Sequence, residues 1–111
     1  MKAPNDIEGE ESSANFDLEN IGPFLGRLSA FIESGFGANE IQKVCRAVDE
    51  MEHDEQREME FPIRHGGTDS LLRVGIFMDD VDAPDLYFFS PPALALQIDE
   101  EIDRFFEELG S

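Results

Sequence analysis

The sequence predicts an α+β domain with the element order ααβββα: two N-terminal helices, a three-stranded antiparallel β-meander and a long C-terminal amphipathic helix. Two patterns lead to this prediction. Apolar residues recur every three or four positions in two segments before residue 52 and in one after residue 90, as on a helix. Between these segments, apolar and polar residues alternate as in strands, so we expect the helices to cover one face of the sheet.

The first two helices are predicted to form an αα-hairpin. Gly22-Pro23 suits a first helical turn, and the apolar stripe after it reaches Ser34-Gly35, a typical helix end. Asn39 suits the N-cap of the second helix, whose apolar stripe continues to about Glu52.

Three strands are predicted to follow. Apolar and polar residues alternate over residues 59–63, and Pro62 indicates an edge strand because proline has no backbone N–H to donate. A turn at residues 66–69, GGTD, leads to residues 70–78, which are apolar on both faces and therefore predicted to be central. The third strand is LYFFS at residues 86–90.

The last helix has signals at both ends. Ser90 suits its N-cap, two prolines suit its first turn, and Gly110 is a typical stop. One face carries Leu94, Ile98, Ile102, Phe105 and Leu109, whereas the other face is almost entirely anionic.

Length and composition favour one domain over residues 16–111, preceded by a disordered acidic tail over residues 1–15, where large apolar side chains are scarce. The single cysteine, Cys45, excludes an internal disulfide and suits a reducing compartment. No apolar segment resembles a signal peptide or a spanning helix, so the cytoplasm is the expected location.

The net charge of −18 limits the choice of partner. A protein that binds nucleic acid or an anionic membrane must supply Lys and Arg against phosphates, and this chain has few of them. Basic proteins and cations are the partners that such a charge favours.

Rows of carboxylates predict a binding surface for a basic protein. DNA presents about one charge per 1.7 Å of its axis, and acids on a helix can imitate part of that track. We therefore expect a small regulatory or inhibitory protein of the DNA-mimic, immunity or antitoxin type. The predicted contact residues lie on the last helix and after the second: Glu100, Glu101, Asp103, Glu107, Glu108, Glu52, Asp54 and Glu55.

Residue spacing suggests two alternative metal sites. Asp79, Asp80, Asp82 and Asp85 gather four carboxylates on one loop, as a calcium site requires, although the EF-hand glycine and glutamate are missing and aspartates also serve turns. A helical line of Cys45, Asp49 and His53 offers three zinc ligands, but a buried thiol is the more ordinary role for Cys45. No cofactor is otherwise predicted.

Two further hypotheses give the acids no specific role. In a salt-adapted, halophilic domain they would only keep the surface hydrated. Alternatively, an uncovered apolar face of the sheet, with either Tyr87 and Phe89 or Leu86 and Phe88 exposed, would form a homodimer or partner interface. No serine or cysteine lies in a nucleophile motif and no glycine-rich phosphate loop is present, so a non-enzymatic role is expected.

Overall fold

A computed structural model describes residues 10–110 and confirms the α+β class. The element order over these residues is βααβββα, which is one strand more than the sequence predicted. The elements are β1 (Glu10–Asn15), α1 (Leu18–Phe31), α2 (Ala38–Glu50), β2 (Gln56–His65), β3 (Thr68–Phe77), β4 (Asp85–Ser90) and α3 (Pro92–Leu109).

The additional strand corrects the prediction for the N-terminal segment. Residues 10–15, expected to belong to a disordered tail, form β1 and pair antiparallel with β4, from Glu10 opposite Ser90 to Asn15 opposite Asp85. Two inner-face residues of the strand, Ser12 and Ala14, are small. Ser12 is buried, and its hydroxyl donates to the Ala95 carbonyl of α3 at 3.3 Å. Residues 1–9 of the predicted tail lie outside the described residues.

The sheet order is β1-β4-β3-β2, with every neighbouring pair antiparallel. This order confirms that the strand with Pro62 lies at an edge and that β3 lies inside the sheet. The β2–β3 turn is shorter than predicted, because only Gly66 and Gly67 lie outside the strands. Both have positive φ, 61° and 76°, which a two-residue hairpin turn of type I′ requires and glycine adopts without strain.

The bounds of α1 differ from the prediction. The helix begins at Leu18, one turn before Gly22-Pro23, so Pro23 lies inside it. It ends at Phe31 because Ile32 is extended, and the next two residues bond to the edge of β2: Glu33 N–H donates to the Arg64 carbonyl at 2.8 Å. Pairing with β2 therefore ends α1 before Ser34-Gly35.

The caps of the other helices also differ. The N-cap of α2 is Gly37 rather than Asn39, and its N–H donates to Glu40 Oε1 at 2.7 Å. The helix ends at Glu50, slightly before the predicted end. The N-cap of α3 is Pro91, because Ser90 is the last residue of β4.

All three helices pack on one face of the sheet, as predicted. The inward apolar residues of β3 and β4 are completely buried. Phenylalanine rings join the layers: between ring centroids, Phe24 of α1 lies 5.4 Å from Phe105 of α3 and 5.8 Å from Phe88 of β4. The opposite face, which we call the open face, carries half-buried and exposed side chains such as Leu71, which is 53% exposed.

Candidate partner-binding surface

The fold brings three acidic segments, which are separate in the sequence, to one end of the molecule. Phe16 N–H donates to the Pro84 carbonyl at 3.0 Å and Leu18 N–H to the Asp82 carbonyl at 3.2 Å. These bonds join the start of α1 to the loop between β3 and β4. The sequence could not show this proximity, because it depends on β1 pairing with β4.

The turn between α2 and β2 joins the same end. Asp54 N–H donates to the Met78 carbonyl at 2.8 Å, and Met78 N–H donates to the Glu55 carbonyl at 2.9 Å. Asp54 has a φ of 69°, a left-handed conformation that aspartate tolerates better than most residues. Because Met78 immediately precedes Asp79, the two acidic turns lie side by side.

We call this surface the acidic end. It consists of Asp17, Glu19, Glu50, Glu52, Asp54, Glu55, Asp79, Asp80, Asp82 and Asp85. Within the described part of the chain, Arg57 is the arginine that pairs with this group, at 2.8 Å from Glu55 and 3.2 Å from Glu50. The hydrogen bond from Arg57, together with the backbone N–H of Glu52, lowers the pKa of Glu55.

The predicted acids of α3 divide into two groups. Glu100, Asp103 and Glu107 are exposed and line a shallow cleft on the outer side of the helix. Glu101, in contrast, is only 8% exposed and accepts bonds at 2.9 Å from both Arg27 and Arg104.

Arg27 ties α3 to α1. Its guanidinium binds both Glu101 and Glu108 and lies 4.9 Å from the centroid of the Phe105 ring. The hydrogen bond from Arg27 lowers the pKa of the Glu108 carboxyl. Glu101 and Glu108 are therefore used inside the molecule, and the outward anionic face of α3 is smaller than the sequence indicated.

The aspartate loop does not bring its side chains together as a calcium site. Within residues 10–110, no three His, Cys, Asp or Glu side chains are arranged to hold a metal ion. Asp80 accepts the backbone N–H of Asp82 at 2.9 Å, a typical aspartate turn, and Asp85 accepts the amide of Asn15 at 3.0 Å.

The Cys45, Asp49 and His53 line is also not formed. Because α2 ends at Glu50, His53 lies beyond the helix, where its ring contacts Asp54 at 3.4 Å. Cys45 is half-buried against the core, and burial together with the charge of Asp49 raises the pKa of its thiol.

The unequal distribution of cations was not visible in the sequence. Five of the arginines in the described residues form ion pairs with acids: Arg27, Arg57, Arg64, Arg73 and Arg104. Lys43 and Arg46 have no ion pair within residues 10–110, and both are exposed on α2. The unpaired positive charge of the described chain is therefore located on α2, where Lys43 and Arg46 line a cleft together with Glu50 and Arg57.

Comparison of the chain with protein-family models, curated proteins and solved structures gave no match. Among the helices of residues 10–110, none combines the length and the apolar character that crossing a membrane requires.

Proposed function

We propose that this chain is a small non-enzymatic protein-binding domain that regulates or inhibits a basic partner, in the manner of DNA-mimic, immunity or antitoxin proteins. The single observation that supports this most is the acidic end, where hydrogen bonds hold three acidic segments together. A field of one sign on a defined surface raises the association rate of an oppositely charged protein.

The pairing of the arginines supports the same proposal. Most described arginines are bound to acids within the molecule, and Arg57 is the one that pairs at the acidic end. Glu52 and Asp79, on adjacent turns, are both exposed there. A basic partner would reduce the mutual repulsion of these carboxylates when it binds.

The test compares two charge-reversal variants with the parent protein. Glu52→Lys with Asp79→Lys reverses charges at the acidic end, whereas Glu10→Lys with Asp69→Lys makes the same change in net charge at the opposite end of the sheet. Each protein is immobilised, incubated with nuclease-treated host lysate at low ionic strength and eluted with increasing salt. We expect the parent and the control variant to release the same basic protein, identified by mass spectrometry.

The acidic-end variant should release much less of that protein or release it at lower salt. Equal capture by the parent and both variants would refute a role for the acidic end. A third variant, Glu100→Lys with Asp103→Lys, then tests whether the outer face of α3 contributes to the same contact.

A further inference from the structure

The open face of the sheet carries an apolar strip along its two inner strands. Leu71 and Phe77 lie on β3, and Tyr87 and Phe89 lie on β4, all on the side opposite to the buried residues. We define these four residues as the apolar strip. Gly75 lies between them, and the strip is shallower there because glycine has no side chain. A Cβ placed at Gly75 would lie 3.5 Å from Tyr87 Cβ.

A cleft of about 600 Å³ lies at one end of this strip. Leu71, Phe89, Pro91 and Pro92 give it apolar walls, and Glu60 is among its polar lining residues. Leu71 is 53% exposed, so a large apolar side chain has direct access to it. The cleft can therefore receive an aliphatic or aromatic side chain.

Acids border the strip on both sides. Glu58 and Glu60 lie on β2 and Glu11 lies on β1, each on the open face according to the strand register. Arg73 lies within the strip, where it is bound to Glu60 at 2.8 Å and lies 5.4 Å from the Phe89 ring centroid. The face as a whole therefore carries acids at both borders and one cation, Arg73, inside the strip, where it also lies 3.7 Å from Glu58.

The dimensions suit a helix. The two outer strands of a four-stranded sheet are about 14 Å apart, from three strand spacings of about 4.8 Å, and a helix with its side chains is about 10–12 Å across. A helix lying along β3 and β4 would place its apolar stripe on the strip and its flanking side chains beside the acids of β1 and β2.

We infer that the open face binds an amphipathic helix of a partner protein, with an apolar stripe bordered by Lys or Arg. This inference rests on the proposed function in taking the partner to be basic, and it adds a second contact surface. A second copy of this chain is the less suitable occupant, because stacking two open faces would bring two chains of net charge −18 together at their acidic borders.

The test uses synthetic helical peptides and calorimetric titration with the whole chain. The first peptide has a leucine stripe bordered by lysines, the second has glutamates in place of the lysines, and the third has serines in place of the leucines. We expect the first peptide to bind at least about tenfold more tightly than either of the others.

Matched variants locate the contact. Leu71→Ser should weaken binding of the first peptide by about tenfold, whereas Leu96→Ser, at an exposed leucine of α3, should leave it within about twofold. Glu58→Lys with Glu60→Lys should also weaken it. Equal binding by the parent and the Leu71→Ser variant would overturn the inference, and so would equal binding of the serine peptide.

Sedimentation tests the alternative occupant of the open face, a second copy of this chain. A dimer of the parent protein that Leu71→Ser dissociates would assign the open face to a second copy and overturn the inference. The capture experiment with the acidic-end variants is independent of these results, because those variants do not change the apolar strip. Failure of one proposal is therefore distinguishable from failure of the other.

Discussion

At the scale of single residues, Glu101 shows how position decides the role of an acid. Its neighbour Glu100 is exposed, but Glu101 is buried and receives charge-assisted hydrogen bonds from Arg27 of α1 and from Arg104 of α3 itself. Such bonds stabilise more than those between neutral groups, although the partial exposure of both arginines reduces the effect. The carboxylate therefore contributes to stability and not to the outer surface.

We expect Glu101→Gln to lower the free energy of unfolding by about 1 kcal/mol, because the charged acceptor of two arginines is lost. The matched control is Glu100→Gln, at an exposed acid on the same helix, for which we expect a change below about 0.5 kcal/mol. Urea denaturation monitored by circular dichroism measures both. Equal midpoints for the two variants would contradict the structural role of Glu101.

At the scale of elements, the corner between α1 and α2 is held against the edge of β2. Ser34 pairs with Arg64, and Arg64 N–H donates to the Ser34 carbonyl at 2.9 Å. Gly35 has a φ of 92°, and a Cβ there would overlap the Pro62 carbonyl oxygen and lie 2.8 Å from Ile63 Cα. Both the backbone conformation and the close approach require glycine.

We expect Gly35→Ala to lower the free energy of unfolding by about 2–4 kcal/mol, through backbone strain and overlap with β2. Gly26→Ala is the control. Gly26 lies in α1, and a Cβ placed there would meet no neighbouring atom within 4 Å, so alanine should stabilise by about 0.5–1 kcal/mol. Thermal and urea unfolding measure the two effects, and a neutral Gly35→Ala would show that the corner is not tightly packed.

At the scale of the whole molecule, the salt dependence of stability distinguishes a binding surface from general salt adaptation. The acidic end holds many carboxylates close together, and their repulsion is screened once the Debye length falls to about 8–10 Å, near 0.1–0.15 M salt. Under the proposed function, the melting temperature should rise with NaCl at low concentration and level off above this range.

The matched variant Glu52→Gln with Asp79→Asn should show a smaller initial rise, because two charges of the acidic end are removed. Melting curves from low salt to molar NaCl measure both proteins. A melting temperature that continues to climb steeply to molar salt would support the halophilic hypothesis instead.

The fold class was predictable because helices and strands depend on local periodicity. The hairpin at Gly66-Gly67, the edge position of β2 and the inner position of β3 were each predicted correctly from a few residues. The end of α1 was not, because the carbonyl of Arg64, on a distant strand, accepts the bond that ends the helix. The start of α2 was missed although Glu40, three residues after the N-cap Gly37, accepts its N–H as in a capping box, which is a local signal. Strand β1 was missed because its short side chains have no apolar pattern.

The sequence by itself determined the α+β class, the amphipathic stripes and the excess of acid, because these depend on composition and local spacing. Only the tertiary structure decided which acids face outward. Pairing of β1 with β4 brings the start of α1 to the aspartate loop, and packing of α3 on α1 commits Glu101 and Glu108 to Arg27. The reason is that contacts between distant segments depend on how strands pair and helices pack, which local spacing does not specify.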